Sequence, residues 1–321
     1  MSEGSHLVEV RELCKYFPVS GHRRLKAVDG VSFKIRKGQV LGLVGESGCG
    51  KTTIGRLILN LLPPTSGMIS FGGIELQELK KAEMRRMRRR IQIVFQDPYA
   101  SLNPRMTIGS VLTFPMKVQG LYNGEREKRA TYLLERVGMR ASDMNRYPHE
   151  FSGGQLQRIG IARALAVDPE FLVADEPVSA LDVSIQSQVL NLFKELQEEF
   201  HLTCLFIAHD LSVVEFISDQ IVVLYLGKIV EMAPSEILYC SSQHPYTRSL
   251  LSAIPLPDPE IEQKKPPFSL MGETTSPIDP PAGCRFFPRC PSKMDICEKK
   301  NPDLVEIAKD HSVACFLMGA R

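Results

Sequence analysis

The run Gly45-Glu46-Ser47-Gly48-Cys49-Gly50-Lys51-Thr52 has the residue types and spacing of a phosphate cradle. Glycines let the backbone curl so that successive N–H groups point at phosphate oxygens, with a helix N-terminus behind them. In such a loop Lys51 reaches the β- and γ-phosphates and the Thr52 hydroxyl ligates Mg²⁺. Gly45, Ser47, Gly48, Cys49, Gly50, Lys51, Thr52 and Thr53 therefore form the expected nucleotide-binding set, with Cys49 a small filler of the loop. A glycine-rich turn with a chance Gly-Lys-Thr is the plain alternative. The apolar run before the loop and the helical pattern after it speak against that. A second group follows at Phe171-Leu172-Val173-Ala174-Asp175-Glu176, an apolar strand ending in two carboxylates. One carboxylate at a strand tip holds magnesium through water and a second positions an attacking water, so Asp175 takes the first role and Glu176 the second. Phe151-Ser152-Gly153-Gly154-Gln155, just before an apolar helical pattern, is another candidate anion-binding helix start, with an ordinary serine N-cap as its bland reading.

These groups need a scaffold that delivers strand tips to one place. Val40–Val44, Ile91–Phe95, Phe171–Ala174, Thr203–Ala208 and Ile221–Tyr225 read as buried strands, short and rich in Val, Ile and Leu. Thr52–Leu62, Gln155–Ala166 and Ile185–Phe200 read as helices, and strands alternating with helices predict a parallel α/β sheet. With 43% hydrophobic and 24% charged residues, the chain is not a disordered polymer. Thirty-nine Lys+Arg against 37 Asp+Glu leave a net charge of +2, which carries no bulk signal for nucleic acid. The arginine-rich run Met84–Arg90, after Lys80 and Lys81, reads as a solvated helix face rather than a nucleic-acid patch. No apolar run is long enough to span a membrane, and Met1–Val10, with Glu3 and Glu9, does not look like a signal peptide, so the expected location is the cytosol.

The motifs taken together resemble the nucleotide-binding subunit of an ATP-binding cassette (ABC) transporter. Ser152-Gly153-Gly154-Gln155 matches that superfamily's signature, Gln96 its Q-loop, Ser179-Ala180-Leu181-Asp182 its D-loop and His209 its switch histidine. A lone Gln or His at a strand end is more often an ordinary surface or core residue, but the family order of the motifs over residues 7–254 inverts that reading. The resemblance implies a P-loop ATPase fold with a parallel-sheet core, an antiparallel β subdomain and a helical subdomain over residues 1–254. It implies Phe17, rather than Tyr16, stacking on adenine, and Gln96 joining Thr52 and Asp175 at Mg²⁺. It also implies a head-to-tail dimer in which Ser152 and Gly154 of one subunit cap the ATP on Lys51 of the other. Lys51, Gln96, His209 and Glu176 are the implied catalytic set, with Glu176 as general base.

Gln96–Pro104, Tyr147–Gly154, Gln243–Leu251 and Gly283–Pro291 are similar to the dipeptide and oligopeptide (and nickel) importer ATPases. That likeness implies a second, usually different, ATPase subunit, two transmembrane permease subunits and an extracellular substrate-binding protein, with the chain on the cytoplasmic face of the membrane. In such ATPases the stretch from Gln96 to about Pro115, with Tyr99, Leu102, Met106 and Phe114, lies near the groove that takes a cytoplasmic helix of the permease. A soluble cassette ATPase acting on DNA or the ribosome is the competing class. The short interval from Lys51 to Ser152 leaves no room for a long coiled coil, and the chain carries one cassette.

After Ile254 the texture changes. Residues 255–283 carry eight prolines and read as an extended linker, and residues 284–321 hold Cys284, Cys290, Cys297 and Cys315. In a reducing cytosol this grouping points to metal rather than disulfides. The C-x5-C-x6-C-x17-C spacing is neither the usual zinc pattern nor the ferredoxin one, so [4Fe-4S] cluster, Zn²⁺ and free structural thiols all stay open on spacing. Resemblance to four-cysteine tails of dipeptide-importer ATPases implies the [4Fe-4S] cluster. A tail this small is expected to need such a staple to fold.

Overall fold

A computed structural model describes residues 6–21, 23–254, 276–280 and 282–319. Most of the proline-rich stretch 255–283 lies outside the described residues. The order is β1 (His6–Pro18), β2 (Arg24–Arg36), β3 (Val40–Val44), α1 (Lys51–Ile58), β4 (Ser66–Phe71), β5 (Ile74–Glu75), α2 (Lys81–Arg90) and β6 (Ile91–Val94). There follow α3 (Pro98–Ser101), α4 (Ile108–Gln119), α5 (Arg126–Arg136), α6 (Gly153–Leu165), β7 (Phe171–Asp175), α7 (Val183–Glu199) and β8 (Thr203–Ile207). The chain continues through α8 (Leu211–Ile217), β9 (Gln220–Tyr225), β10 (Lys228–Pro234), α9 (Ser235–Ser241), α10 (Pro245–Ser252), a short α11 (Asp295–Lys299), β11 (Val305–Ala308) and β12 (His311–Val313).

Two sheets share the work. The larger has the order β11-β12-β10-β9-β3-β8-β7-β6, parallel from β9 to β6 and antiparallel beyond. β3, β7 and β8 are buried at every position, which is why they read as unbroken apolar runs rather than alternating ones. The smaller sheet, β2-β1-β4-β5, is antiparallel. Its long strands β1 and β2 alternate and bulge, so their inward residues Val8, Val10, Val28, Val31 and Ile35 pack over α1 and one face of the main sheet. The other face is covered by the helices α4 to α8 around Leu112, Leu133, Leu156, Phe193 and Phe206.

The expected parallel core is present, and its strand tips end at one edge. α1 stops at Ile58, short of the predicted Leu62, because Asn60 turns left-handed (φ 50°) ahead of Pro63 and Pro64. The tail is less separate than its sequence suggests. β12 pairs with β10 at Glu231–Val313, and Phe286 packs against both Tyr225 and Tyr246, so the cysteine-bearing segment extends the main sheet.

Candidate nucleotide site

β3 delivers the chain at Val44 into a loop whose glycines are required by space. At Gly45 (φ 152°) a Cβ would fall 2.1 Å from the Leu224 carbonyl oxygen, and at Gly50 (φ 110°) 2.1 Å from that of Ala27. Only glycine fits such a close backbone approach. Lys51, the first residue of α1, is buried and curls back to donate to the carbonyls of Gly45 (2.7 Å) and Glu46 (3.0 Å). Among the described residues its ammonium has no carboxylate partner, which leaves its charge available to an anion. Ser47 and Gly48 are exposed at the loop's tip, and Thr52 and Thr53 are half-buried. Cys49 is buried, and its main chain closes the loop by donating to Glu46 and accepting from Gly227. The reading of Cys49 as a filler agrees with that burial.

The Thr52 hydroxyl donates to Asp175 Oδ1 at 3.0 Å. Burial pushes the Asp175 carboxyl above its usual range; the Thr52 hydrogen bond opposes this and the neighbouring Glu176 charge adds to it. Two oxygens from different elements, one of them a buried carboxylate poorly disposed to hold its charge alone, suit a small hard cation such as Mg²⁺.

One residue on, Glu176 turns left-handed at φ 46°, an uncommon conformation for a side chain of this size. Its N–H is held by the Ile207 carbonyl at 2.9 Å. The turn aims its carboxylate at two residues from neighbouring strand ends. Gln96 Nε2 donates to Glu176 Oε2 at 2.9 Å and approaches Ser179 Oγ at 3.4 Å, while His209 Nδ1 lies 3.3 Å from the same Oε2. The tips of β6, β7 and β8 thus converge on one carboxylate, because those strands are adjacent and parallel.

The Ser152 start of α6 shares no hydrogen bond with this group among the described residues. Ser152 is an N-cap whose Oγ accepts from Gln155 N–H, and the Gln155 side chain accepts from Ser152 N–H, the capping box of an ordinary serine N-cap. A Cβ at Gly154 would fall 2.4 Å from Ile185 of α7, so that glycine sets the helix spacing. Ser152 and Gln155 are exposed and Gly153 is half-buried. Phe17 is half-buried beneath the Lys15 ammonium, 5.1 Å from the ring centroid, on the outer part of β1. The Tyr16 hydroxyl is engaged by Asp29, which leaves Phe17 the freer ring.

Sequence reasoning missed a set of residues that grip the loop from its far side. The Tyr246 hydroxyl accepts from Glu46 N–H at 2.9 Å, and Arg289 Nη1 donates to both Glu46 carboxylate oxygens at 2.9 Å. Arg285, close by, reaches Asp29 and the Leu226 carbonyl. Tyr246, Arg285 and Arg289 lie within segments noted only for their likeness to importer ATPases, and no spacing rule links position 289 to position 46.

The four tail cysteines are brought to one region. Burial raises the Cys284 thiol to about 11, and Cys297, Cys315 and Cys290 add to the rise. Cys290 and Cys315 are raised by burial as well, each with neighbouring cysteines contributing. Yet among the described residues no three or more His, Cys, Asp or Glu side chains stand close enough to hold a single metal ion. The expected metal-binding character of the tail is therefore not supported by a formed ion site.

Over residues 28–179 the chain matches the ABC transporter family, and over residues 230–297 the oligopeptide/dipeptide transporter C-terminal region. It is 53% identical over 313 residues to the putative oligopeptide transport ATP-binding protein YkfD of Bacillus subtilis, covering 97% of this chain and 95% of that protein. It is 54% identical over 311 residues to a putative peptide import ATP-binding protein of Brucella ovis, covering 97% of each. Among solved structures it resembles the ATP-binding cassette MJ0796, a dimer in a post-hydrolysis state bound to ADP and Pi (TM-score 0.65, 31% identity, 71% of this chain and 98% of that one). It also resembles CbiO1 of Clostridium perfringens, part of a CbiONQ transporter complex (TM-score 0.68, 26% identity, 81% and 98%).

Proposed function

Because the chain belongs to the family of ATP-binding subunits of oligopeptide and dipeptide ABC transporters, we propose that the Gly45–Thr52 loop, Gln96, Asp175, Glu176 and His209 are the parts that hydrolyse ATP in it. The protein is an ATPase subunit of a peptide importer, works with membrane permease subunits and is membrane-associated. Among the described residues no helix is long and apolar enough to cross a membrane. We assign it to the cytoplasmic face, paired head-to-tail with a second, different ATPase subunit and served by an extracellular substrate-binding protein.

The observation that carries the site assignment is the convergence of Gln96 and His209 on Glu176, one residue from the Thr52–Asp175 pair. In the reaction a water oxygen attacks the γ-phosphorus as the bond to the β–γ bridging oxygen breaks, and the water's proton passes to Glu176. Lys51 answers the charge of the β- and γ-phosphates, and His209 and Gln96 keep the Glu176 carboxylate aimed at the water. Thr52, Asp175 and Gln96 would hold Mg²⁺, which when bound would supply charge neutralisation to the phosphate oxygens. Phe17 stacks on adenine. Ser152, Gly153, Gly154 and Gln155 present an exposed helix start to the ATP of the partner subunit. Glu176→Gln keeps the size and a hydrogen bond but removes the base. ATP then still binds and turnover in the assembled transporter falls at least about a hundredfold; near-normal hydrolysis would refute the assignment.

Tyr99 and Phe114 are more than half exposed beside α3 and α4, which supports docking of a short permease helix there. Cross-linking from cysteine placed at Tyr99 or Ser101 tests it, and no cross-link in any nucleotide state would count against it.

For the tail we propose the [4Fe-4S] cluster on Cys284, Cys290, Cys297 and Cys315. Burial raises the Cys284, Cys290 and Cys315 thiols and neighbouring cysteines add to each rise, a mutual repulsion that a shared cationic core would offset. Anaerobically purified protein is expected to be brown and to lose its colour in Cys290→Ser. Colourless protein with stoichiometric zinc would replace iron with zinc.

A further inference from the structure

The tail reaches the nucleotide loop directly. Arg289 lies in the turn Phe287–Arg289, closed by Phe287 N–H to Cys284 O (3.0 Å) and Cys290 N–H to Phe287 O (3.3 Å). Its side chain is 9% exposed, and it spans 243 positions of sequence to take both oxygens of Glu46, the second residue of the phosphate loop. The same guanidinium lies over the Tyr225 ring, 5.9 Å from its centroid, and its Nε is buried with no hydrogen-bond partner among the described residues. Glu46 is its one carboxylate partner among the described residues, and losing it would leave a buried charge unanswered there. Glu46 is also held through its N–H by Tyr246, whose ring packs on Phe286 of the tail. Both the main chain and the side chain of one loop residue are thus fixed by the C-terminal part of the chain, while Lys51 fixes the carbonyls of Gly45 and Glu46 from inside.

A loop that binds phosphate through backbone N–H groups gains affinity when those groups are already aimed before the ligand arrives. We propose that Arg289 is a positioning residue for nucleotide binding: through its ion pair with Glu46 the cysteine-bearing tail holds the phosphate loop in its binding conformation. The turn that carries Arg289 is bounded by Cys284 and Cys290, so a change at those two cysteines, rather than anywhere in the tail, is transmitted to the affinity for ATP. This inference rests on ATP occupying the Gly45–Thr52 loop.

The test is equilibrium binding of ATP to the full-length chain, with steady-state kinetics of the assembled transporter beside it. Arg289→Met and Glu46→Gln are each expected to raise the Kd for ATP about tenfold, and the double variant to be no weaker than either single one, as a shared interaction requires. In the transporter the KM for ATP rises by more than kcat falls. Arg289→Lys keeps the buried charge but not the two-oxygen grip, and guards against a variant that does not fold; it is expected to weaken ATP about threefold. His311→Gln, which loosens the tail at Glu231 instead, lowers the melting temperature and leaves the Kd unchanged. Additive effects of the two substitutions, or a lower melting temperature with an unchanged Kd in Arg289→Lys and Glu46→Gln, would overturn the proposal. Lys51→Ala separates the two readings. If it binds ATP normally, the loop assignment fails; if it loses ATP while Arg289→Lys and Glu46→Gln do not, only the brace fails.

Discussion

Thr52 and Asp175 meet across 123 positions of sequence because α1 begins where β3 ends and β7 ends two strands away. The duties proposed for the hydroxyl and the carboxylate are separable, and Thr52→Val tests the first while keeping the side chain's shape. Loss of one oxygen ligand is worth about 1–2 kcal/mol, so the magnesium concentration for half-maximal ATPase activity should rise about tenfold, with ATP affinity in excess magnesium changed far less. An unchanged magnesium requirement would remove Thr52 from the metal. The residues proposed to do chemistry stand out in the sequence because their spacing is local: Gly45 to Thr52, Asp175 to Glu176 and Ser152 to Gln155 are each fixed by one loop or one helix start. Glu46, Tyr246 and Arg289 do not, because their meeting depends on how α10 and the tail fold back onto the loop, and no short-range pattern encodes that.

At the scale of elements, the buried parallel strands were the clearest signal, since full burial leaves an apolar run with no alternation. β1 and β2 were not read as strands. Their alternation is broken by register shifts between Val10 and Leu13 and between Leu13 and Lys15, so a period of two does not persist. The start of α10 adds a titratable device to the scaffold. His244 is buried and accepts from Tyr246 N–H through Nδ1, which requires that nitrogen unprotonated, and burial pushes its pKa down to about 3. In the unfolded chain the imidazole takes a proton below about 6.5. The unfolded state therefore binds more protons between pH 6.5 and about 3, and the stability His244 supports is present above that window and lost as the pH falls through it. From pH 7.5 to 5.0 this is about 2 kcal/mol. His244→Asn keeps an N-cap acceptor without the titration, so denaturant unfolding at the two pH values should show a smaller loss in the variant by about that amount. Equal losses would acquit His244. The Gly154 contact offers a second check: Ile185 lies 2.4 Å from where a Cβ would stand, so Gly154→Ala must push α6 from α7, and a cost of about 1–3 kcal/mol is expected from thermal unfolding.

At the scale of the whole molecule, the question is whether residues 284–319 are a passenger or part of the ATPase body. The composition argues for a passenger, because a proline-rich stretch separates them from the cassette and so short a segment holds too few residues for a core of its own. The packing argues otherwise. Phe286 is 1% exposed, with its ring centroid 5.3 Å from Tyr225, 5.5 Å from Tyr246 and 5.7 Å from His244. His311 gives the fully buried Glu231 a partner at 2.9 Å, beside the N–H groups of Gln243 and His244. β12 supplies the edge of β10 with its hydrogen bonds. Removing the tail would uncover three rings, leave a buried carboxylate short of a donor and open a sheet edge, each a cost borne by the cassette itself. Two substitutions measure this without deleting the segment. Phe286→Ala should lower the unfolding free energy of the whole chain by about 3–5 kcal/mol, in one transition reported alike by a probe in the tail and a probe near α6. Cys290→Ser, which alters the cysteine group but leaves Phe286 and His311 in place, should lower it by less. If Phe286→Ala instead melts the tail alone, with the α6 probe unchanged, the tail folds separately and its grip on the phosphate loop is too weak to matter for the ATPase.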